Sequence, residues 1–336
     1  MQLQISPVLD AGTARWASPV REASYAADHE GLPADPLEEL LSELDLDDPG
    51  ERAHWYAGGV NGAPVALARV GLPVHDNTGS ATLDVQVQTD SRRCGYGAAM
   101  ARHGLGLVQA EGRTRVFGEV WEPLDMPSPA GPSPAFAASL GAVPVLVEVR
   151  RLLDLTALDD ELLDRCSRQA GQVAAGYRVV QWFEAAPAEL VEDLACLSGR
   201  MSLDTPMGEM QWEPEAWDGA RWLAKEANTR ARQRTRPVSA AVDEATGRAV
   251  GFTDIGVSLL RPETGYQWET IVDPAHRGHR LGMLLKAANL QQLRRELPEV
   301  TRLNTWNAEV NAHMVTINDA LGFRPVERWT EWQLDL

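Results

Sequence analysis

Basic residues, and lysines above all, are scarce in this chain. Its 336 residues include 31 Lys or Arg against 48 Asp or Glu, a formal net charge of -17, and Lys225 and Lys286 are the two lysines. A surface of this sign repels phosphate backbones, which argues against a nucleic-acid partner and permits a cationic or amine-bearing one. The alternative is that the acidic surface serves only to keep the chain dispersed in water.

Long apolar runs and cysteine clusters are missing as well. No run of 18 apolar residues and no secretion-type N-terminal pattern occurs, so we expect a cytoplasmic protein without membrane spans. Cys94, Cys166 and Cys196 are too few and too far apart for a disulfide framework, and each is expected to be a small buried hydrophobic residue. His276 and His279 lack a third ligand nearby, so no metal site is predicted.

An internal repeat organises the chain. The length of the chain alone favours about two domains. The stretch NGAPVALARVGL at 61–72 returns as TGRAVGFTDIGV at 246–257, an offset of 185, and SLGAVPV at 139–145 returns as ALGFRPV at 320–326. The sequence of each half predicts the same order of elements: strand, turn, strand, a Gly/Arg-rich turn, helix, strand, helix and closing strand. This is the α+β class, with a mixed, mostly antiparallel sheet flanked by helices.

We expect an N-terminal domain over 1–155, a linker helix over 156–176 and a C-terminal domain over 177–336. The helix that starts at Leu281 should present an apolar face and stop before Pro298. The segment 123–135 carries five prolines where the second half has the helix NAHMVTINDA, and this breaks the symmetry of the repeat.

Two Gly/Arg-rich turns indicate anion binding. VQTDSRRCGYG at 87–97 and VDPAHRGHRLG at 272–282 each end a strand and begin a helix. The first amides of a helix are free and lie at the positive end of its dipole, so they bind anions such as pyrophosphate. Glycines allow close approach, and arginines can add charge-assisted contacts.

These turns resemble the cofactor loop of the GCN5-related N-acetyltransferases (GNATs), R-x-x-G-x-G/A after a strand often ending in V-x-P. The first loop matches through Arg92, Gly95 and Gly97. The second loop has Arg280 in place of the first glycine. It keeps Val272, Pro274, Arg277 and Gly282.

A second family signature, an asparagine followed by a helix that ends in Y-x-x-L-G-F, resembles part of the second half. The matching residues there are Asn311, Leu321, Gly322 and Phe323. The first half keeps only Leu140 and Gly141. The doubled arrangement resembles the mycothiol synthase family of actinobacteria, and the fuller second signature favours the second half as the working site.

The resemblance implies that at least one loop holds acetyl-CoA or another acyl-CoA, with the thioester in a notch where the preceding strand leaves its neighbour. The first half is either structural or holds an unproductive cofactor. In the first half the implied contacts are Val87, Arg92, Arg93, Cys94, Gly95, Tyr96 and Gly97. In the second half they are Ile271, Val272, Arg277, Gly278, His279, Arg280, Leu281, Gly282, Met283, Asn311 and Met314.

The resemblance also implies direct attack by an amine, which needs a base. Glu269, with Asp84 as its counterpart, is the candidate if partial burial beside Trp268 raises its pKa; the alternative is a solvated or salt-bridged carboxylate. The family's thiolate usually takes a proton from a tyrosine, where Asn318 stands here. Asparagine donates a hydrogen bond but not a proton, so water or another residue serves, or the thiolate leaves unprotonated.

Three residues are candidates for contact with the acceptor: Asp204, Trp212 and Trp306. Structural cover is their alternative role. The leading hypothesis is therefore an enzyme, a monomer or homodimer, that acetylates a primary amine of a small molecule without a metal. The alternatives are a non-catalytic acyl-CoA binder and an acyltransferase that uses aminoacyl-tRNA.

Overall fold

The computed structural model describes residues 2–46, 48–129 and 131–336 and has the predicted α+β fold. The chain forms two compact units. Unit 1 consists of the residues up to Glu148 together with Gly208–Glu213 and Glu327–Leu336. Unit 2 consists of Val149–Met207 and Pro214–Val326. The predicted division at residues 155 and 177 followed the sequence repeat and stays a prediction.

Unit 1 holds the elements of the first half of the chain. They are β1 (Gln4–Pro7), α1 (Ala11–Asp28), α2 (Leu37–Asp45), β2 (Glu51–Val60), β3 (Ala63–Pro73), β4 (Ser80–Val87), α3 (Tyr96–Ala110), β5 (Arg115–Pro123), α4 (Pro132–Ser139) and the beginning of β6 (Val143–Asp154).

Unit 2 repeats this order of strands. Its elements are α5 (Asp160–Gly171), β7 (Tyr177–Trp182), α6 (Val191–Gly199), α7 (Met201–Asp204), α8 (Gly219–Ala231), β8 (Arg234–Thr235), β9 (Val238–Asp243), β10 (Ala249–Ser258), β11 (Thr264–Val272), α9 (Leu281–Glu296), β12 (Arg302–Ala308), α10 (Ala312–Ala320) and the beginning of β13 (Arg324–Asp335).

The strands of the two units follow the same order. Unit 1 has the order β1-β2-β3-β4-β5-β13, and unit 2 has β7-β9-β10-β11-β12-β6. From β1 to β5, from β7 to β12 and between β5 and β13, neighbouring strands pair antiparallel except for β4 with β5 and β11 with β12. The last strand of each sheet comes from the other half of the chain, because Glu327–Asp335 pairs with β5 along nine residues and Val149–Asp154 belongs to unit 2.

The cores follow the amphipathic pattern of the strands and helices. In unit 1, α1 covers β2 and β3 through Ala14, Ala17 and Val20, and α3 packs on the same sheet through Met100 and Val108. In unit 2, the helix predicted as a linker is α5, which packs against α9 in a cluster with Leu163 and Leu290. None of the described helices is long and apolar enough to cross a membrane.

Three local expectations need correction or refinement. The proline-rich segment does not remove the helix of the first half, since α4 begins at Pro132 and tolerates proline in its first turn. Cys94 and Cys196 are exposed rather than buried, whereas Cys166 is half-buried. Helix α9 stops before Pro298 as expected, but it is buried on nearly every side, including polar residues such as Lys286 and Asn289.

Candidate functional site

Both Gly/Arg-rich turns adopt the same backbone. In unit 1, Arg93 and Gly95 have φ of 63° and 82°, and in unit 2 Gly278 and Arg280 have φ of 87° and 56°. Each turn thus needs two left-handed residues two positions apart, and each has glycine at one of them. Arg280 occupies the position of Gly95 without changing the path of the chain, at a cost of roughly 1 kcal/mol for a side chain in this region.

The helix that follows each turn starts with free amides. The first intrahelical bond of α3 runs from the Ala99 amide to the Gly95 carbonyl, so the amides of residues 96–98 have no helical acceptor. The first bond of α9 runs from the Leu284 amide to the Arg280 carbonyl and leaves those of residues 281–283 equally free. Neither N-cap residue has a capping side chain. Both helix starts are suited to an anion.

The loop arginines hold the turns in place. Arg92 donates through Nε to the Val87 carbonyl at 3.0 Å and through Nη1 to Asp28 at 2.9 Å. Arg277 repeats both contacts in unit 2, with the Val272 carbonyl at 3.2 Å and Asp204 at 3.1 Å. The structure therefore gives these arginines a positioning role, and their predicted contact with phosphate stays a prediction.

The strand before each turn separates from its parallel neighbour. In unit 1, β4 and β5 pair only at Ser80–Thr82, and the last pair is Thr82 with Phe117. In unit 2, β11 and β12 pair only at Thr264–Tyr266, and the last pair is Tyr266 with Asn304. Beyond these pairs the facing backbone edges of each strand have no strand partner in the described part of the chain. The notch implied by the family resemblance is present in both units.

In unit 1 this notch opens into a cavity of about 810 Å³. Its walls come from α1, β4, the loop, α3, β5, α4 and β13, all within the unit. The predicted residues Val87, Arg92, Arg93, Gly95, Tyr96 and Gly97 all line it. Cys94, the remaining predicted residue of this loop, is exposed, and its thiol lies 3.5 Å from the Arg92 carbonyl.

Carboxyl groups concentrate in this cavity, and sequence reasoning missed all but one. Asp84, Glu119 and Glu331 line it, and Glu119 lies directly opposite Glu331 on the paired strands β5 and β13. Burial raises the pKa of Asp84. Burial, followed by the neighbouring Glu331, raises the pKa of Glu119 well above its usual value. The sequence did not indicate this pair, because the two residues are 212 positions apart and become neighbours only when β13 pairs with β5.

Glu269 in unit 2 has a different environment. Its Oε1 lies 2.6 Å from the Lys225 Nζ, and its Oε2 accepts from the Ser198 hydroxyl at 3.0 Å. Burial raises the pKa of Glu269, but Lys225 and Arg236 outweigh it and hold the pKa below its usual value. Glu269 thus matches the alternative of a salt-bridged carboxylate, and the sequence did not show that Lys225 reaches this strand. Its role as the base stays a prediction.

Asn318 in unit 2 is fully buried at the side of β12. Its Oδ1 accepts from the Lys286 ammonium at 2.7 Å, and its Nδ2 donates to the Asn307 Oδ1 at 3.1 Å. Burial lowers the pKa of Lys286 to about 7. A buried lysine beside the position that lacks the family tyrosine was not predicted, since helical periodicity gives no reason to place a charge there.

The remaining predicted cofactor residues of unit 2 are divided between its core and its loop. Ile271, Leu281 and Gly282 are buried, and Val272 and Met283 are half-buried. Asn311 caps α10, where its Oδ1 accepts from the Met314 amide at 3.2 Å. His279 packs on the Tyr177 ring at 5.3 Å, and the Tyr177 hydroxyl lies 2.9 Å from His276 Nδ1.

The three predicted acceptor residues are divided between the two units. Trp212 belongs to unit 1, where it packs on Phe117 with ring centroids 5.4 Å apart. Trp306 belongs to unit 2 and stacks with Tyr266 and Trp268. Asp204 is paired with Arg200 and Arg277. Contact of any of these with a substrate stays a prediction.

Comparison with known proteins identifies the family. No protein-family model matches the chain. The chain is 30% identical over 313 residues to a mycothiol acetyltransferase of Sanguibacter keddieii, an alignment that covers 87% of this chain and 85% of the relative. The chain belongs to the GCN5-related N-acetyltransferase family. As a GNAT, it is an acyltransferase.

Solved structures show that this GNAT is of the tandem type. A tandem GNAT protein from the clavulanic acid biosynthesis pathway, solved without acetyl-CoA, has a TM-score of 0.81 and 27% identity, with 99% of this chain and 98% of that chain covered. A GCN5-related N-acetyltransferase from Sphaerobacter thermophilus has a TM-score of 0.66 over 99% and 95% of the chains. At 15% identity the latter shows the fold alone.

Proposed function

We propose that this GNAT transfers an acetyl or another short acyl group from acyl-CoA to a primary amine of a small molecule by direct attack, with the donor in the cavity of unit 1. The observation that carries the proposal is the cavity of about 810 Å³, which joins the free amides of α3 to the notch between β4 and β5.

The residues of the cavity fit the parts of an acyl-CoA. The amides of Tyr96, Gly97 and Ala98 suit the diphosphate. The unpaired strand edges beyond Thr82 and Phe117 suit the amide-bearing pantetheine arm. The donor, when bound, supplies an activated acyl group as a thioester.

The protein's own part in the reaction is to orient the amine and to remove its proton. An ammonium must become a neutral amine before it attacks, and a carboxylate with a raised pKa takes up that proton more readily near neutral pH. Asp84 lines the cavity two residues beyond the last pair of β4 with β5, and its pKa is raised. We therefore assign it the role of base.

Unit 2 is the second candidate for the donor site and the one that the sequence favoured. The same turn backbone and the same notch support it. Against it stands Glu269, whose charge is compensated by Lys225 and whose pKa is lowered. A carboxylate held in this way is a poor base unless the substrate displaces the lysine.

A matched pair of variants distinguishes the two units. Gly95→Asp and Arg280→Asp each place a carboxylate at the N-cap of the helix, where it repels a diphosphate. Gly95→Asp costs roughly 1 kcal/mol because φ is 82° there, and Arg280 shows that a side chain is tolerated at this position. In calorimetric titration with acetyl-CoA, we expect Gly95→Asp to weaken binding at least tenfold and Arg280→Asp to leave it nearly unchanged.

The opposite result would assign the donor site to unit 2. If neither variant changed acetyl-CoA binding, diphosphate binding at these helices would be contradicted.

Asp84→Asn, compared with Glu269→Gln, tests the base. We expect Asp84→Asn to lower thiol release in the presence of an amine library by about 10- to 1000-fold at neutral pH. Equal rates for wild type and Asp84→Asn across pH 6 to 9 would remove Asp84 from that role.

A further inference from the structure

Three carboxyl groups surround the mouth of the unit 1 notch. Thr82 and Phe117 form the last pair of β4 with β5, and Asp84 and Glu119 each follow two residues later on their own strand. Glu331 lies directly across from Glu119 on β13. Side chains two apart on a strand point to the same face, so both strands carry a carboxyl group just past the point where they separate.

Within this group, Arg21, Arg69 and His29 act electrostatically on Asp84, whereas Glu119 and Glu331 have no basic partner in the described part of the chain. Among the described residues, neither Glu119 nor Glu331 nor the neighbouring Glu148 has an ion-pair partner. Like charges placed directly opposite each other on paired strands are destabilising. By contrast, the nearby Arg69 and Arg21 are occupied by Glu43, Glu51 and Asp35. Glu119 and Glu331 therefore form a carboxyl pair whose ionised form has no ion-pair partner in the described part of the chain.

The same cavity has two further features of a binding site for a polar ligand. Trp332 lines it and is only 5% exposed, yet its indole Nε1 has no hydrogen-bond acceptor among the described residues. Tyr25, Trp121 and Trp329 contribute aromatic walls. Aromatic faces attract cations through their quadrupole.

We infer that the acceptor in unit 1 is a small amine with at least two positively charged nitrogens, held by Glu119 and Glu331. This rests on the proposed function, because it concerns the acceptor end of the same cavity. The nitrogen that attacks must lose its charge, so a substrate with a single ammonium would lose its attraction to the carboxyl groups. A second ammonium stays charged and keeps the substrate in place while the first reacts.

The probe is 1,4-diaminobutane, and n-butylamine is its singly charged counterpart. We would titrate each into the full chain with coenzyme A present, which forms no product, at pH 7 in two buffers of different ionisation enthalpy. The diamine should bind at least tenfold more tightly than butylamine and should release protons, because a bound cation favours the ionised forms of Glu119 and Glu331. Glu119→Gln and Glu331→Gln should each weaken diamine binding at least tenfold.

Glu22→Gln, an exposed carboxylate on α1, is the matched control and should bind as wild type does. The Gln variants remove a like-charge contact, so their thermal unfolding should show no loss of stability. Equal binding of both amines, or wild-type diamine binding by both Gln variants, would overturn the inference. Titration of the same variants with acetyl-CoA separates the two proposals. If acetyl-CoA binds normally but the two amines bind equally well, only the inference about the acceptor is refuted. If acetyl-CoA does not bind, the proposed donor site in unit 1 is refuted.

Discussion

At the scale of single residues, the two turns reach one backbone with different sequences. Each needs two residues with positive φ, and glycine takes the first of these positions in unit 2 and the second in unit 1. The departure of Arg280 from the family pattern is thus matched by Gly278, where unit 1 has Arg93. The position of each glycine is set by backbone conformation, since a Cβ at Gly95 or Gly278 would meet nothing within 4 Å.

Gly278→Ala and Gly106→Ala test this reading with one chemical change at two sites. A Cβ has open space at both, but Gly278 has φ of 87° and Gly106 lies inside α3. In urea denaturation we expect Gly278→Ala to lower the free energy of unfolding by about 1 kcal/mol and Gly106→Ala to raise it by about 0.5–1 kcal/mol. The same sign for both variants would show that conformation is not what selects glycine at 278.

At the scale of elements, a polar contact inside the core of unit 2 joins α9 to α10. Lys286 of α9 is 1% exposed, and Asn318 of α10 is its one hydrogen-bonding partner among the described residues. The Phe323 ring adds a cation–π contact at 5.3 Å. A buried amine with a single partner is stable only while that partner is present. The two helices are therefore coupled through this pair.

Asn318→Leu should expose that coupling. It leaves the Lys286 Nζ without an acceptor, so the free energy of unfolding at pH 7 should fall by about 1–3 kcal/mol. The double variant Lys286→Met with Asn318→Leu removes both polar groups at similar volume and should recover at least half of the loss. Urea denaturation of both single variants and the double variant measures the coupling. Additive losses would mean that the two side chains act independently.

At the scale of the whole molecule, each sheet is completed by the last strand of the opposite half of the chain. Glu327–Asp335 closes the sheet of unit 1 beside β5 and supplies Trp329, Glu331 and Trp332 to the cavity. Val149–Asp154 belongs in turn to unit 2. The first half of the sequence therefore lacks some of the residues that line the cavity of unit 1.

A fragment of residues 1–155 should fail to form this site. It lacks the strand beside β5, so it exposes a strand edge and should aggregate or unfold without cooperativity. A matched fragment that joins 1–148 through a flexible Gly/Ser linker to 327–336 should unfold cooperatively and bind acetyl-CoA in calorimetry. Cooperative unfolding and acetyl-CoA binding by residues 1–155 alone would show that the exchanged strand is dispensable.

The sequence by itself determined the repeat, the α+β class and the two Gly/Arg-rich turns between a strand and a helix, because these depend on local turn chemistry and on periodicity within a few residues. It also placed the end of α9 before Pro298, where a single residue type forbids continuation. Only the tertiary structure decided that Lys225 compensates Glu269, that Lys286 lies beneath Asn318, and that Glu331 faces Glu119 in an open cavity. Each of these pairs joins residues dozens to hundreds of positions apart, and which strands and helices become neighbours is set by the packing of the whole fold.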